Sequence, residues 1–334
     1  MSLKQISFIS QYLDADGKTT VDILNQLGTV ILPRGAKPAE KLKKMYLFVR
    51  TRDYIEYPDT EKSPPARENK PVKFNSDPDK KKAAEQSLGR EVVRQYEEFE
   101  NLITDIFAEP GLSAQNVQSA EKLVENSFRA DKSSLLSCVQ SLRTADTYTF
   151  HHSMSVCFLF IEALADIVKY SSAREFYEVF LWKGGKINLA ESFRKQYSLG
   201  ALLHDFGKTR INDSILNKNS RLTDEEFSQM KKHPQFGVDD LKKSGLNDEH
   251  ILHIVGDHHQ QYPVFNERHP LAVICNVVDV YDACRAERVY KEKFSFEQTK
   301  KILWDEMEKK NWYYFLFKII ITDTLSRLDK NYGK

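Results

Sequence analysis

Apolar positions recur at helical spacing through most of the chain beyond its first quarter. From about Leu88, the run VVRQYEEFENLITDIF sets an apolar stripe against charged neighbours, and steps of three and four residues dominate from there to the C-terminus. Residues 1–58 follow another pattern, in which the short apolar segments VDIL, TVILP and MYLFV are punctuated by Gly28, Pro33 and Gly35. That alternation predicts a small α/β module. Residues 59–87, rich in Pro, Lys, Glu, Asp and Ser, have the composition of a solvated, charged linker. The expected fold is therefore mainly α, a helical domain over 88–334 behind a linker and a small N-terminal α/β module.

Local signals place several boundaries. SLGALLHDFGK reads as an apolar helix whose last turn carries His204 and Asp205, with Gly207 as its stop. In RLTDEEFSQMKKHP, Thr223 and Glu226 form a capping-box pattern, and Pro234 forces a change of course at His233. A further helix from Asn247 puts Ile251, Val255, His258 and His259 on or near one face, and His250, His253 and Asp257 on a side that reads as solvated. Residues 170–196 set Phe176, Tyr177, Phe180 and Trp182 before Gly184-Gly185, an extra helical excursion that serves either as an aromatic core patch or as a pocket cover. SVCFLFIEALADIV, interrupted by Glu162 and Asp166, reads as an amphipathic core helix; WYYFLFKIII, with Lys318, fits a core helix or a dimer face.

Composition narrows the setting. A chain of 334 residues with 41% hydrophobic content and a formal net charge of +1 can bury one large or two unequal domains, and does not resemble a polyelectrolyte binder of DNA or RNA. No continuous apolar run reaches the ~18–20 residues of a membrane span, and no signal-peptide pattern opens the sequence, so a cytoplasmic location is expected. Cys138, Cys157, Cys275 and Cys284 form no CxxC pair and read as reduced core residues.

Against this background the adjacent pair His204-Asp205 carries the chemistry. His152 lies upstream; His233, the doublet His258-His259 and Asp279 follow. Imidazole suits transition metals, whereas an all-oxygen magnesium or calcium site would not collect histidines. A carboxylate between two imidazole-rich sets can bridge two cations, and two cations roughly 3.5–4 Å apart can stabilise both oxygens of a displacement at phosphorus. Phosphoester hydrolysis is the expected reaction. Lys208 can contact substrate phosphate or compensate the helix dipole. His151 competes with His152 for the first position, and its spacing from Val156 favours His152.

From Tyr148 to about Ser295 the chain resembles the HD-GYP subgroup of the HD phosphohydrolase superfamily. The segments that carry the resemblance are LRTADTYTFHHSMSV, LGALLHDFGKTRINDSILNK, LTDEEFSQMKKHPQFGVDDL, the HH doublet and VVDVYDACRAERVYKEKFS, in that order. The resemblance implies an all-helical HD-type domain that hydrolyses the bacterial second messenger cyclic di-GMP. By the same resemblance, His152, His204, Asp205 and Asp279 hold one metal, Asp205 bridges, and His233, His258 and His259 hold the other. Lys208 stands near a bridging hydroxide and the scissile phosphate, and Arg288 and Lys291 hold the dinucleotide phosphates, a role the planar guanidinium suits. Iron is the expected metal, with manganese or zinc as alternatives.

Two departures modify these expectations. The family signature HHExxDGxGYP is shortened here to HHQQYPVF, which keeps Tyr262 as a substrate-binding candidate but loses the glycines, so the loop beside the guanine site must take another shape. Tyr148 replaces the glutamate that binds a third metal in some members, which implies two metals and a linear dinucleotide product. A catalytically weak cyclic-dinucleotide sensor or protein-interaction adaptor is the alternative, as is a hydrolase of another nucleotide phosphoester. GTVILPRGAKPAEKLKKM resembles a module that precedes other HD-GYP domains, implying a regulatory or docking role toward a signalling partner; a packing extension is the other reading.

Overall fold

A computed structural model describes residues 78–143, 148–182, 185–216, 218, 222–260, 269–286, 293–310 and 313–330, with four strands nearer the N-terminus. Those strands are β1 (Ser2–Ile6), β2 (Ile23–Leu24), β3 (Val30–Leu32) and β4 (Leu47–Thr51). They form an antiparallel sheet in the order β1-β4-β2-β3, with β1 and β4 in register from Ser2↔Thr51 to Ile6↔Leu47. The apolar segments of the expected module supply β2, β3 and β4; any helical part of that module lies outside the described residues.

The first described helix, α1 (Pro78–Leu88), occupies the last positions of the stretch expected as linker, and residues 59–77 lie outside the description. Lys80 and Lys82 face water, but Ala84 is buried, Leu88 packs against the core and Lys81 pairs with Glu97, so a segment whose composition reads as solvated is docked on one side. Then come α2 (Arg90–Phe107), α3 (Ala114–Arg129), α4 (Lys132–Leu142), α5 (Tyr148–Val168) and α6 (Arg174–Phe180). In α2, Val93, Tyr96, Phe99, Ile103 and Ile106 are buried at steps of three and four, the stripe visible in the sequence.

The central helix α5 is hydrophobic nearly all round and buried along most of its length, with Glu162, Ala165 and Val168 half-buried on one stripe toward its end. By length and composition Thr149–Val168 could cross a membrane, yet 83% of that stretch is covered by the rest of the protein. Its two acids are explained by partners remote in sequence. Glu162 pairs with Lys132 and Arg327, and Asp166 accepts hydrogen bonds from Arg327 and from Thr324. That C-terminal region comprises α13 (Phe296–Lys310), α14 (Tyr314–Ile319), a π-helical stretch Ile320–Leu325 and α15 (Ser326–Leu328). Phe315, Leu316, Phe317, Ile319 and Ile320 are buried, which makes the C-terminal apolar cluster core.

After α6, Leu181–Trp182 (β5) pairs with Gly185–Lys186 (β6), so the excursion ends in a two-stranded hairpin and is not helical throughout. Phe176, Phe180 and Trp182 are buried and Tyr177 is exposed; the patch belongs mainly to the core. The remaining elements are α7 (Glu191–Leu203), a 3₁₀ helix Phe206–Arg210, α8 (Asp213–Leu216), α9 (Asp224–Met230), α10 (His233–Ser244), α11 (Glu249–Asp257) and α12 (Pro270–Arg285). Helix α5 packs on α7 and α12, α7 on α11, and α10 on both α11 and the 3₁₀ helix. The four cysteines are buried and free.

Gly207 serves a different purpose from the expected helix stop. It lies within the 3₁₀ helix, and a Cβ there would fall 1.9 Å from the His233 carbonyl oxygen and 2.5 Å from the Gly237 nitrogen. Its lack of a side chain lets the HD segment press against α10. An ion pair between Arg210 and the buried Asp240 fastens the same contact.

Candidate metal centre

Each candidate ligand is delivered by a break or an end of a helix, or by the central core. Helix α7 runs to Leu203 and His204 keeps helical dihedrals as its C-cap, but Asp205 adopts φ −98° and ψ 5° at the junction with the 3₁₀ helix, so the expected last turn ends between the two residues. Neighbours on a continuous helix point about 100° apart. The break brings both side chains to one place. Thr223 and Glu226 close the expected capping box on α9, and the turn after it makes His233 the first residue of α10, followed by Pro234. His258 and His259 follow the end of α11, whose N-cap is Asp248. His152 comes from α5 and Asp279 from α12.

The structure brings these seven residues together around Asp205. Its Oδ1 lies 3.2 Å from His233 Nε2 and 3.9 Å from His258 Nε2; its Oδ2 lies 3.5 Å from His204 Nε2 and 3.7 Å from His152 Nε2. Two groups result, Asp205 with His233, His258 and His259, and Asp205 with His152 and His204, each with ligand atoms within 4.8 Å of one another. Asp279 joins them from the side, 3.0 Å from His152 Nε2 and 3.8 Å from His259 Nδ1. Asp205 is 1% exposed and His204 0%, whereas the His259 side chain keeps 46% of its surface in solvent and marks the open side.

Ring orientation is fixed from behind. Nδ1–H of His204, His233 and His258 donates to the carbonyl oxygens of Ala201, Met230 and Val255 at 2.8, 2.7 and 2.8 Å. A carbonyl only accepts, so Nδ1 carries a proton in each ring, and wherever the ring is neutral its Nε2 is a lone pair. Burial holds the pKa of His204 below the usual histidine value and that of His258 well below it, which keeps both in the ligand form.

The chemistry of this donor set fits a cation. Nε2 of His233 and Nε2 of His258 face each other at 3.3 Å, and Nε2 of His204 is buried with no hydrogen-bond partner among the described residues. Lone pairs gathered this way repel one another, and a shared cation relieves them. Burial opposes ionisation of Asp205, but the Lys208 ammonium beside it leads the groups that outweigh burial and hold the carboxyl well below its usual range. Lys208 donates to Asp205 Oδ2 with 20% of its side chain exposed, so its ammonium spans the buried carboxylate and the open side.

His151 is settled by the same geometry. It turns away from the centre, with Nε2 2.6 Å from the Tyr96 hydroxyl and 3.2 Å from Glu100. Arg288, Lys291 and Tyr262 lie outside the described residues, as does the side chain of Tyr148. Two residues that the sequence did not single out reach the centre from behind: Asp282, 2.7 Å from His152 Nδ1, and Arg143, which donates to Asp282. A signal for Asp282 was present, since it falls one helical turn after Asp279; none was available for Arg143, 139 positions away.

Comparison with known proteins bears on the same stretch. The HD domain family model matches residues 149–284. These residues form an HD domain. The cyclic di-GMP phosphodiesterase PA4108 of Pseudomonas aeruginosa is 32% identical over 166 residues, covering 47% of this chain and 35% of the relative. A cyclic di-GMP phosphodiesterase of Vibrio cholerae is 39% identical over 117 residues, 31% of this chain and 24% of the relative. The 3'3'-cGAMP-specific phosphodiesterase 2 of Vibrio cholerae is 33% identical over 124 residues, 34% of this chain and 24% of the relative. The matched part of this chain thus spans about a quarter to a third of those relatives.

Proposed function

We propose that this chain is a metal-dependent phosphodiesterase that hydrolyses a cyclic dinucleotide, cyclic di-GMP in the first place, to the linear dinucleotide. The observation that carries the reading is the division of Asp205, one oxygen toward His233 and His258 and the other toward His152 and His204. Two transition-metal ions, iron or manganese before zinc, would supply Lewis acidity and an activated water there. Asp205 would be shared between them, His152, His204 and Asp279 completing one set and His233, His258 and His259 the other. Lys208 would balance phosphate charge on the open side marked by His259. Arg288, Lys291 and Tyr262 are our candidates for holding the dinucleotide.

The names of the relatives support a cyclic dinucleotide over other phosphoesters, and they include both cyclic di-GMP and 3'3'-cGAMP. The shortened HHQQYP segment favours one competing reading, a sensor that binds the dinucleotide without cleaving it. Anaerobic incubation of iron- or manganese-loaded protein with each cyclic dinucleotide, followed by chromatography, tests these readings with Asp205→Ala as control. Linear product from the unmutated protein alone is the expected result. Tight binding without product, in protein whose metal content has been verified, would overturn the enzymatic reading in favour of the sensor.

A further inference from the structure

We infer that Arg143 and Asp282 form a positioning pair that fixes the ring of His152, so that occupancy of one of the two metal groups depends on a salt bridge outside the ligand set. The inference rests on the metal-dependent reading above. It starts from an asymmetry among the buried rings of the centre. His204, His233 and His258 are each held at Nδ1 by a carbonyl three residues earlier in the chain, a partner whose place the local backbone already sets. His152 is held instead by a side chain from another helix, the Asp282 carboxylate, at 2.7 Å.

A carboxylate used this way must itself be held. One terminal nitrogen of Arg143 lies 3.1 Å from each oxygen of Asp282, Gln140 Nε2 donates to Asp282 Oδ1 at 3.3 Å, and the Ser155 hydroxyl contacts the guanidinium at 3.0 Å. Asp282 is 0% exposed and the Arg143 side chain 4%. Arg143 directly follows α4, so the pair joins α4, α5 and α12 behind one imidazole. An ionised carboxylate accepts only, which places the proton on Nδ1 and leaves Nε2 to face Asp205 and Asp279. Helix α12 thereby serves both nitrogens of a single ring, Asp279 on the metal side and Asp282 behind it. Such outer partners orient a ligating histidine and raise its basicity.

A purely structural salt bridge would tie the same helices together, and the test separates the two roles. In Asp282→Asn the amide can donate to Nδ1 and favour the Nε2–H tautomer, which cannot ligate. That variant also leaves Arg143 buried beside a neutral group. The pair Arg143→Met/Asp282→Asn removes both charges and decides the matter if the single variant fails to fold. The readouts are metal ions per chain in washed protein by mass spectrometry and metal affinity by competition with a chromophoric chelator, with thermal unfolding of the metal-free forms as the measure of structure.

The unmutated protein is expected to hold two manganese ions. The double variant is expected to fold, keep one ion at unchanged affinity, and bind the other about 10–100-fold more weakly. Two ions at unmutated affinity in the double variant would overturn the inference alone, leaving Arg143 and Asp282 a structural pair. Fewer than two ions in the unmutated protein would overturn both this inference and the binuclear reading beneath it.

Discussion

Helix α11 and the residues after it contribute histidines to two clusters of unlike construction. At the end of the helix, His258 and His259 join His152, His204, His233, Asp205 and Asp279, with Nε2 atoms converging on carboxylate oxygens. On its other side, His250 and His253 meet His269 around Trp182. His253 stacks on His269 at 5.0 Å and 9°, His250 Nδ1 lies 2.9 Å from His269 Nε2, and Trp182 meets His269 edge-on at 4.6 Å. The sequence predicts a solvated side there. The structure instead half-buries His250 and His253 because the hairpin brings Trp182 (5% exposed) over them.

The second cluster packs rings against rings, and its one carboxylate, Asp257, sits at the rim against His253. Among the described residues only the first cluster gathers ligand atoms closely enough to hold a cation. Histidine density therefore does not identify a metal centre. The discriminating features are a buried carboxylate presented to several rings and a partner behind the ring that fixes its tautomer, a backbone carbonyl for His204, His233 and His258 and the Asp282 carboxylate for His152.

The largest effect that sharpens this contrast is expected from Asp205→Ala, which removes the one residue that, among the described residues, both candidate ligand groups share. Metal content should fall from two ions per chain to none, and dinucleotide hydrolysis by at least about a thousandfold, ~4 kcal/mol. Mass spectrometry and a product assay read both; retained metal would dissolve the distinction drawn here. Trp182→Ala acts on the other cluster. Removing its buried indole should cost ~3–5 kcal/mol of stability in urea unfolding, with metal stoichiometry unaltered. Loss of metal in that variant would show that the two clusters work as one.

A pH experiment probes the first cluster alone. Burial works against protonation of His152, but hydrogen bonds with Asp279 and Asp282 outweigh it and push its pKa up to about 9. A raised folded-state value means that protonated His152 stabilises the metal-free protein fully below about pH 6.5, and that this contribution is lost as pH rises through about 9. The difference in unfolding free energy between the unmutated protein and His152→Gln should shrink by on the order of 2–3 kcal/mol across that window. Metal affinity should run the opposite way, because the ligand must shed its proton. A pH-independent difference would remove the charge assigned to His152. The smallest effect is expected from His253→Gln, which breaks a partly exposed i,i+4 pair with Asp257. It should cost ~1 kcal/mol in thermal unfolding, the pair together with the stack on His269, and leave metal content unaltered.

Much of this was legible in the residues. The stripe of α2, the capping box on α9 and the turn at His233 are local statements, and the structure carries them out. All seven candidate ligands lie together at the centre. Other features were misread because their causes are distant. Asp166 of α5 is buried and Glu162 half-buried, since Arg327 and Thr324 supply their partners from the far end of the chain. Gly207 is a contact glycine because α10 presses on it, a relation no neighbour in sequence records.

The kind of chemistry is written in the residues. Imidazole and carboxylate side chains are the donors whatever the fold, and their spacing along apolar helices is a local property. How those donors are used depends on the packed fold. It broke α7 so that His204 and Asp205 face the same point, divided the oxygens of Asp205 between two groups of rings, and placed Asp282 and Arg143 behind His152. The physical reason is that orientation, burial and tautomer are set by partners from other helices, and those contacts do not exist until the chain has packed.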